Sequence, residues 1–425
     1  MEKVDILIRG CTILPMDEKR IIENGALAVK DGKITFVGRA PRASGMKAET
    51  LIDGRGKVAL PGLINCHTHV PMTLFRGLAE DQPLEKWLKK TIWPLEAKLK
   101  SDDVYAGALL GCLEMIKSGT TCFADMYFHE DMVARAVAES GLRSILAEGI
   151  IEAGRRELGA ETFSRSVDFA KNFDGYASGR IKAMLGPHAA YSCSEDLLLK
   201  VREKALELKV GVHTHLAESK SMLKEVAFLD RIGFFDAHTL ASHCINLSKR
   251  DMQTLFMREV NVVHVPVANM KLGLGAARVK DLKSLGVNVC LGTDGPASNN
   301  TLDMFETMKF AALLQKHAYR DPTILSAYEV LEMATINGAK ALGLESVAGS
   351  LEVGKQADII LIDFSKPHLK PLHDVFASVV YSAHGSDVDT VIVDGKMLME
   401  KRQIKTFHEA EAMGKAEERA FHLLS

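Results

Sequence analysis

The sequence predicts an α/β chain built as a (β/α)₈ barrel, with a small composite β-sandwich contributed by its two ends. Three observations lead there. Eight short apolar runs alternate with amphipathic helical stretches through the middle of the chain. Polar, chemistry-bearing residues recur where those runs end. No glycine-rich phosphate turn accompanies them, as an open doubly wound sheet would usually require: Gly273-x-Gly275 lacks a third glycine and follows no strand.

In chain order, residues 1–58 read as strands joined by turns, the first part of the sandwich. Within them Asp31-Gly32 joins two apolar alternating segments, and both turn positions tolerate positive φ, the signature of a two-residue hairpin. Residues 59–348 form the barrel. Its expected strands are Val58–Cys66, Thr120–Asp125, Leu142–Ile150, Ile181–Gly186, Val210–Leu216, Thr239–Cys244, Val260–Val265 and Val287–Gly292. Between them Ser194 caps a helix with Leu197, Leu198, Val201, Ala205 and Leu208 on one face, and Ser326-x-x-Glu329 forms a capping box. Residues 349–405 complete the sandwich through a strand over Ala357–Asp363 and a second Asp-Gly hairpin at Asp394-Gly395; residues 406–425 form a C-terminal helix.

Composition narrows the function classes. Of 425 residues 47% are hydrophobic and 25% charged, ordinary for a globular protein. The 53 basic and 55 acidic residues leave a net charge of −2, so neither nucleic acid nor an anionic membrane is an expected partner. No apolar run nears the ~18 residues that span a bilayer, and Glu2, Lys3, Asp5 and Arg9 break up any signal-peptide stretch. Seven scattered cysteines, none spaced C-x-x-C, argue against a disulfide framework and point to a reducing, cytoplasmic setting. Whether the chain forms a homo-oligomer is open at this level.

Five of the eight strands end in polar residues: the first in His67-Thr68-His69, then His188, His215, His243 and finally Asp294. His67 and His69 are two apart, so on a strand both imidazoles face one way and can share a metal. His215 offers a third nitrogen, with His213 on the same face as a competitor; His215 lies nearer the strand end and precedes Glu218. Asp294 follows the last strand, which neighbours the first in a closed barrel. Three imidazoles and a carboxylate suit one divalent ion per chain, zinc first, with Fe²⁺, Mn²⁺ and Ni²⁺ also compatible. Such an ion brings the pKa of water from ~15.7 to ~7.

At Pro61-Gly-Leu-Ile-Asn-Cys-His67-Thr-His69 and Gly349-Ser-Leu-Glu-Val-Gly-Lys-Gln-Ala-Asp358 the sequence resembles the amidohydrolase superfamily over nearly its whole length. More narrowly it resembles the 5′-methylthioadenosine/S-adenosylhomocysteine deaminases. The relevant stretches are Arg76-Gly-Leu-Ala-Glu-Asp81, Leu84-Glu-Lys-Trp87, Trp93-Pro-Leu-Glu96, Gly186-Pro-His188, His215-Leu-Ala-Glu218, Ser242-His243-Cys244 and Gly292-Thr-Asp294-Gly-Pro-Ala-Ser298. The resemblance implies metal ligation by His67, His69, His215 and Asp294, acid–base or orienting roles for Glu218 and His243, ribose binding by Glu96, and substrate contacts from His188 and Ser298. It implies hydrolytic deamination of the adenine of a small 5′-modified adenosine. His188 stands where dinuclear relatives carry a carbamylated lysine, so one metal is expected. Trp87 and Trp93 are expected to pack in a loop covering the site.

The chain departs from the pattern at one place. The resembled subfamily ends its third strand with an arginine and carries another about a dozen residues later, both suited to the carboxylate of S-adenosylhomocysteine. Here Glu148 stands at the first position, and Arg155 or Arg156, of which Arg156 is taken as the substrate residue, at the second. A carboxylate facing Glu148 would be repelled, so 5′-methylthioadenosine or 5′-deoxyadenosine is expected to be preferred. Guanine, cytosine or triazine-type deaminases and chlorohydrolases share the metal core and form the alternative reading. A non-catalytic scaffold of the same fold would have lost ligands that are all present here.

Overall fold

Eight strands in strict chain order hydrogen-bond side by side, and every pairing in the series is parallel. The computed structural model describes residues 3–78, 80–219 and 224–424; Glu2 and Ala79 of the Arg76–Asp81 stretch lie outside the described residues. The barrel strands are Leu63–Thr68, Thr120–Tyr127, Arg143–Ile150, Ile181–Pro187, Gly211–Leu216, Thr239–His243, Asn261–His264 and Val289–Leu291. Their side chains alternate between a small interior cluster, which includes Cys66, Cys122, Ala124 and Cys290, and a larger outer layer under the helices.

The seam between last and first strands is closed by side chains as well as backbone. The Asp294 N–H donates to the His67 carbonyl at 2.9 Å. The fully buried Asn65 side chain accepts from Thr293 N at 3.0 Å and donates to Thr293 Oγ1 at 2.7 Å.

The expected first strand is in fact two. Lys57–Pro61 belongs to an outer sheet and Leu63–Thr68 to the barrel, with Gly62 between them. A Cβ at Gly62 would sit 2.0 Å from Thr121 Oγ1, so only glycine lets the chain pass from sheet to barrel there. Apolar continuity through Val58–Cys66 hid this break, because both halves are buried.

The outer sheet is a mixed one of nine strands drawn from both ends of the chain. Lys57–Pro61 pairs with Lys3–Ile13 on one side and with Ile359–Asp363 on the other, joining the two ends. The Asp-Gly hairpins form as expected, with φ of 52° and 78° at Asp31 and Gly32 and 53° and 72° at Asp394 and Gly395. The two turns touch: a Cβ on Gly395 would lie 2.6 Å from Gly32 Cα. Ser194 and Ser326 cap their helices, and a final helix, Glu409–Leu424, packs near Ser101–Lys117. Among the described residues no helix is long and apolar enough to cross a membrane.

Sheet and barrel are pinned by a buried ion pair. Arg143, on the third barrel strand, meets Asp358 at 2.9 and 3.2 Å, with side chains 5% and 2% exposed. Asp358 also accepts from Asp394 N at 2.8 Å, which ties the second hairpin to the same point. Removing the Asp358 carboxylate leaves the buried Arg143 with Asp394 Oδ1, 3.5 Å away, as its remaining carboxylate. Asp358→Ala should therefore lower unfolding free energy by about 3–5 kcal/mol, read as a fall in the urea midpoint at unchanged slope. A loss below about 1 kcal/mol would mean that Asp394 or water takes over the Arg143 charge once the carboxylate is gone.

Candidate active site

The strand ends point into one cavity. His69, His188, His215, Glu218, His243 and Asp294 line its floor; Trp87, Trp93, Glu96, Tyr127, Phe128 and Ile151 are among the residues of its walls. Backbone strain accompanies the floor: Ala217, His243, Cys244 and Asp294 all adopt positive φ, between 48° and 72°. Non-glycine residues held this way collect where a side chain must be aimed rather than relaxed.

Each floor histidine is fixed by its outer nitrogen. His69 Nδ1 donates to the Met126 carbonyl at 2.6 Å and His215 Nδ1 to the His188 carbonyl at 2.8 Å. His243 Nδ1 donates to Asn269 Oδ1 at 2.9 Å, and His67 Nδ1 meets His213 Nε2 at 2.8 Å. With every Nδ1 committed, the Nε2 lone pairs face inward. His69 Nε2 and His215 Nε2 stand 3.3 Å apart, and Asp294 Oδ1 lies 3.4 Å from His69 Nε2 and 3.7 Å from His67 Nε2. The buried His67 Nε2 has no hydrogen-bond partner. Converging lone pairs beside a carboxylate oppose one another unless a cation lies among them, so the donor set fits a divalent metal.

Burial and the neighbouring imidazoles hold His67 and His215 well below the ordinary histidine range, leaving both neutral as ligands must be. His213, the sequence-level competitor, is not in the converging group; it sits behind His67 and sets its tautomer. His243 is closer to that group than the sequence suggested. Its nitrogen can join His67 and His215 within 4.8 Å, and it lies 3.8 Å from Glu218 Oε1.

Glu218 is buried, and burial raises its carboxyl above the ordinary range, with His243 opposing and Asp294 adding to the rise. Glu96 ends a short helical turn, Trp93–Glu96, and burial brings its carboxyl up to about 6. His188 is likewise pushed down to about 4; its Nδ1 donates to Ser192 Oγ at 3.0 Å, leaving Nε2 as an acceptor. Ser298 lines the cavity, but its hydroxyl is used on Gly295 O at 3.0 Å. Trp87 and Trp93 both face the cavity from the covering segment.

Two expectations about the far end change. Glu148 is absent from the cavity wall: its strand presents Gly149 there, followed by Ile151 just beyond its end, while the buried Glu148 accepts from Glu130 N at 2.8 Å. Burial lifts it to about 7, and Arg165 lies 3.8 Å away. Arg156 is also outside the cavity, exposed on the first turn of Arg156–Phe173. Arg155, one residue earlier, lines a groove continuous with the cavity through Trp93, Glu96, Phe128 and Ile151; Arg165 lines it too. Asn269 and Tyr127 went unnoticed in the sequence. Tyr127 ends the second strand and so had a positional signal; Asn269, on the helix after the seventh, had none.

Residues 58–398 match the model of the amidohydrolase family. A 5′-deoxyadenosine deaminase of Methanosarcina acetivorans is 49% identical over 99% of both chains. A 5-methylthioadenosine/S-adenosylhomocysteine deaminase of Dictyoglomus thermophilum is 47% identical, again over 99% of each. Among solved structures, an adenosine deaminase of Xanthomonas campestris with bound zinc superposes with a TM-score of 0.95 at 32% identity, covering 100% of this chain and 99% of its own.

Because His213 touches only the outer nitrogen of His67 and none of the inward-facing nitrogens, its substitution isolates the tautomer effect. His213→Phe should weaken metal affinity about 10–100-fold by chelator competition while leaving the fold intact. Unchanged affinity would show that His67 is oriented by other means.

Proposed function

The chain belongs to the amidohydrolase family, among the adenosine-type deaminases, and we propose that it converts 5′-modified adenosines to the inosine analogue and ammonia. One observation carries the reading: a buried acid, Glu218, stands beside the inward-facing histidines in the same cavity as Glu96. The first arrangement serves hydrolysis of a ring amine. The second gives a carboxylate to two vicinal hydroxyls, which separates a nucleoside from a free base such as guanine or a triazine.

His67, His69, His215 and Asp294 would hold one divalent ion, and zinc is the ion proposed, as in the solved relative. When bound, such an ion supplies water of lowered pKa at neutral pH. Asp294 would act as the base, taking a proton from the attacking water as the water's oxygen bonds to the amino-bearing carbon. His243, with Nδ1–H on Asn269, offers Nε2 to hold the water in line. Glu218, whose carboxyl burial raises toward the protonated form, gives its proton to the adjacent ring nitrogen. Asp294 then protonates the departing amine, and the new hydroxyl returns a proton to Glu218, leaving the carbonyl and free ammonia. Atoms and charges balance, and both carboxyls are restored.

The 5′ substituent extends into the groove that carries Arg155 and Arg165. Glu148 does not line it, but Glu161 does, 3.6 Å from Arg165, so Arg155 is the cation best placed to meet a carboxylate-bearing substituent.

Three outcomes test this reading. Purified protein should carry one divalent metal per chain and lose activity on chelation; two tightly held ions, both needed for turnover, would overturn the ligand set. Glu218→Gln should lower kcat by ~10²–10⁴ at unchanged metal content, whereas His215→Ala should lose metal and activity together. Arg155→Ala should cost S-adenosylhomocysteine about 3–10-fold in kcat/KM and spare 5′-deoxyadenosine, the range set by an exposed cation. Equal losses on both substrates would place the 5′ end elsewhere.

A further inference from the structure

Tyr127 closes the second barrel strand, and its ring is 4% exposed within the apolar cluster of Met72, Phe75, Trp87 and Ile92. It stands 5.6 Å from the Phe128 ring and 6.3 Å from that of His69. Its hydroxyl is buried, in a residue that lines the cavity, and meets no partner at full hydrogen-bond geometry; the Glu96 carboxylate lies close enough to act on it as a weak acceptor. Of the charged groups around that hydroxyl, Glu96 acts on it most strongly. A buried phenol normally finds a partner, and one left open in a cavity wall is a place where a ligand atom belongs.

The donor count says which atom. An ionised Glu96 can only accept, and His188 presents an accepting Nε2 because its Nδ1–H is spent on Ser192, whose own proton goes to Ala189 O. A vicinal diol gives both protons to a carboxylate, and its oxygens then need a donor. Tyr127 supplies one beside that carboxylate.

We propose that the Tyr127 hydroxyl is a specificity-determining donor to a ribose hydroxyl of the substrate, working as a pair with Glu96. The proposal rests on the nucleoside reading above. It gives the cavity a two-sided lock on the sugar: the carboxylate demands hydroxyl protons, and the phenol demands a hydroxyl oxygen. A sugar lacking that hydroxyl forgoes this hydrogen bond, so the difference falls on binding.

The test uses the metal-replete enzyme with 5′-deoxyadenosine and its analogues lacking the 2′ or the 3′ hydroxyl. Tyr127→Phe should cost the full substrate about tenfold in kcat/KM, mostly through KM, the worth of one buried hydrogen bond. It should cost at least one deoxy analogue almost nothing, and that analogue names the hydroxyl. Metal content should not change, and the thermal midpoint should hold, because the hydroxyl makes no fully formed hydrogen bond in the fold. Equal losses on all three substrates, or no loss on the full one, would overturn the proposal. Glu96→Gln on the same panel separates the two claims. If Glu96→Gln discriminates the deoxy analogues and Tyr127→Phe does not, the pairing alone fails. If neither discriminates, ribose recognition at this wall fails with it.

Discussion

Everything in the site hangs on closing the barrel between its first and last strands. The three-residue last strand carries little backbone pairing of its own, and the buried Asn65 side chain substitutes for the missing ladder by holding Thr293 at two points. The next backbone N–H, that of Asp294, lands on the carbonyl of His67 itself. Two of the proposed ligands, far apart in sequence, are thereby made hydrogen-bonded neighbours before any metal arrives. The left-handed backbone at Asp294 is sustained because the seam over-determines it.

The second requirement is to keep lone pairs, not protons, facing inward. A buried imidazole has two nitrogens, and whichever one is satisfied by the protein decides what the other offers. Here the satisfying groups come from neighbouring strands and helices: a carbonyl from the second strand, one from the fourth, an amide from a helix, and His213. Thus the ring of strands supplies both the ligands and the groups that hold them. Crowded neutral rings beside a carboxylate are poorly compatible with an empty interior, so cation binding should be coupled to the stability of this end of the barrel.

Most of the fold could be read from the sequence because buried parallel strands and amphipathic helices leave different periodicities. All eight runs became barrel strands, and both Asp-Gly pairs became hairpins. The Gly62 break escaped because a chain leaving one buried sheet for another shows no change in hydropathy. In the site, strand-end position exposed His67, His69, His188, His215, His243 and Asp294, but not which way a neighbour faces. Glu148 and Arg156 both lie off the cavity lining for that reason. A one-residue phase on a strand or a first helical turn decides whether a side chain enters the cavity or turns away from it, and no local signal at those positions sets it. Likewise His213 was visible but its duty was not, since orienting a ligand and being one require the same residue on the same face.

The strand Lys57–Pro61 has a consequence for how the molecule comes into being. It lies between the chain's opening strand and Ile359–Asp363, so during synthesis its second edge stays open while the entire barrel emerges. That edge is apolar and, until residue 363 appears, available to strangers. Nascent chains stalled inside the barrel should therefore be sticky at their N-terminal end, whatever the state of the barrel strands. Holding factors that shield β edges would matter most for this protein late in translation, just before the returning strand claims its place.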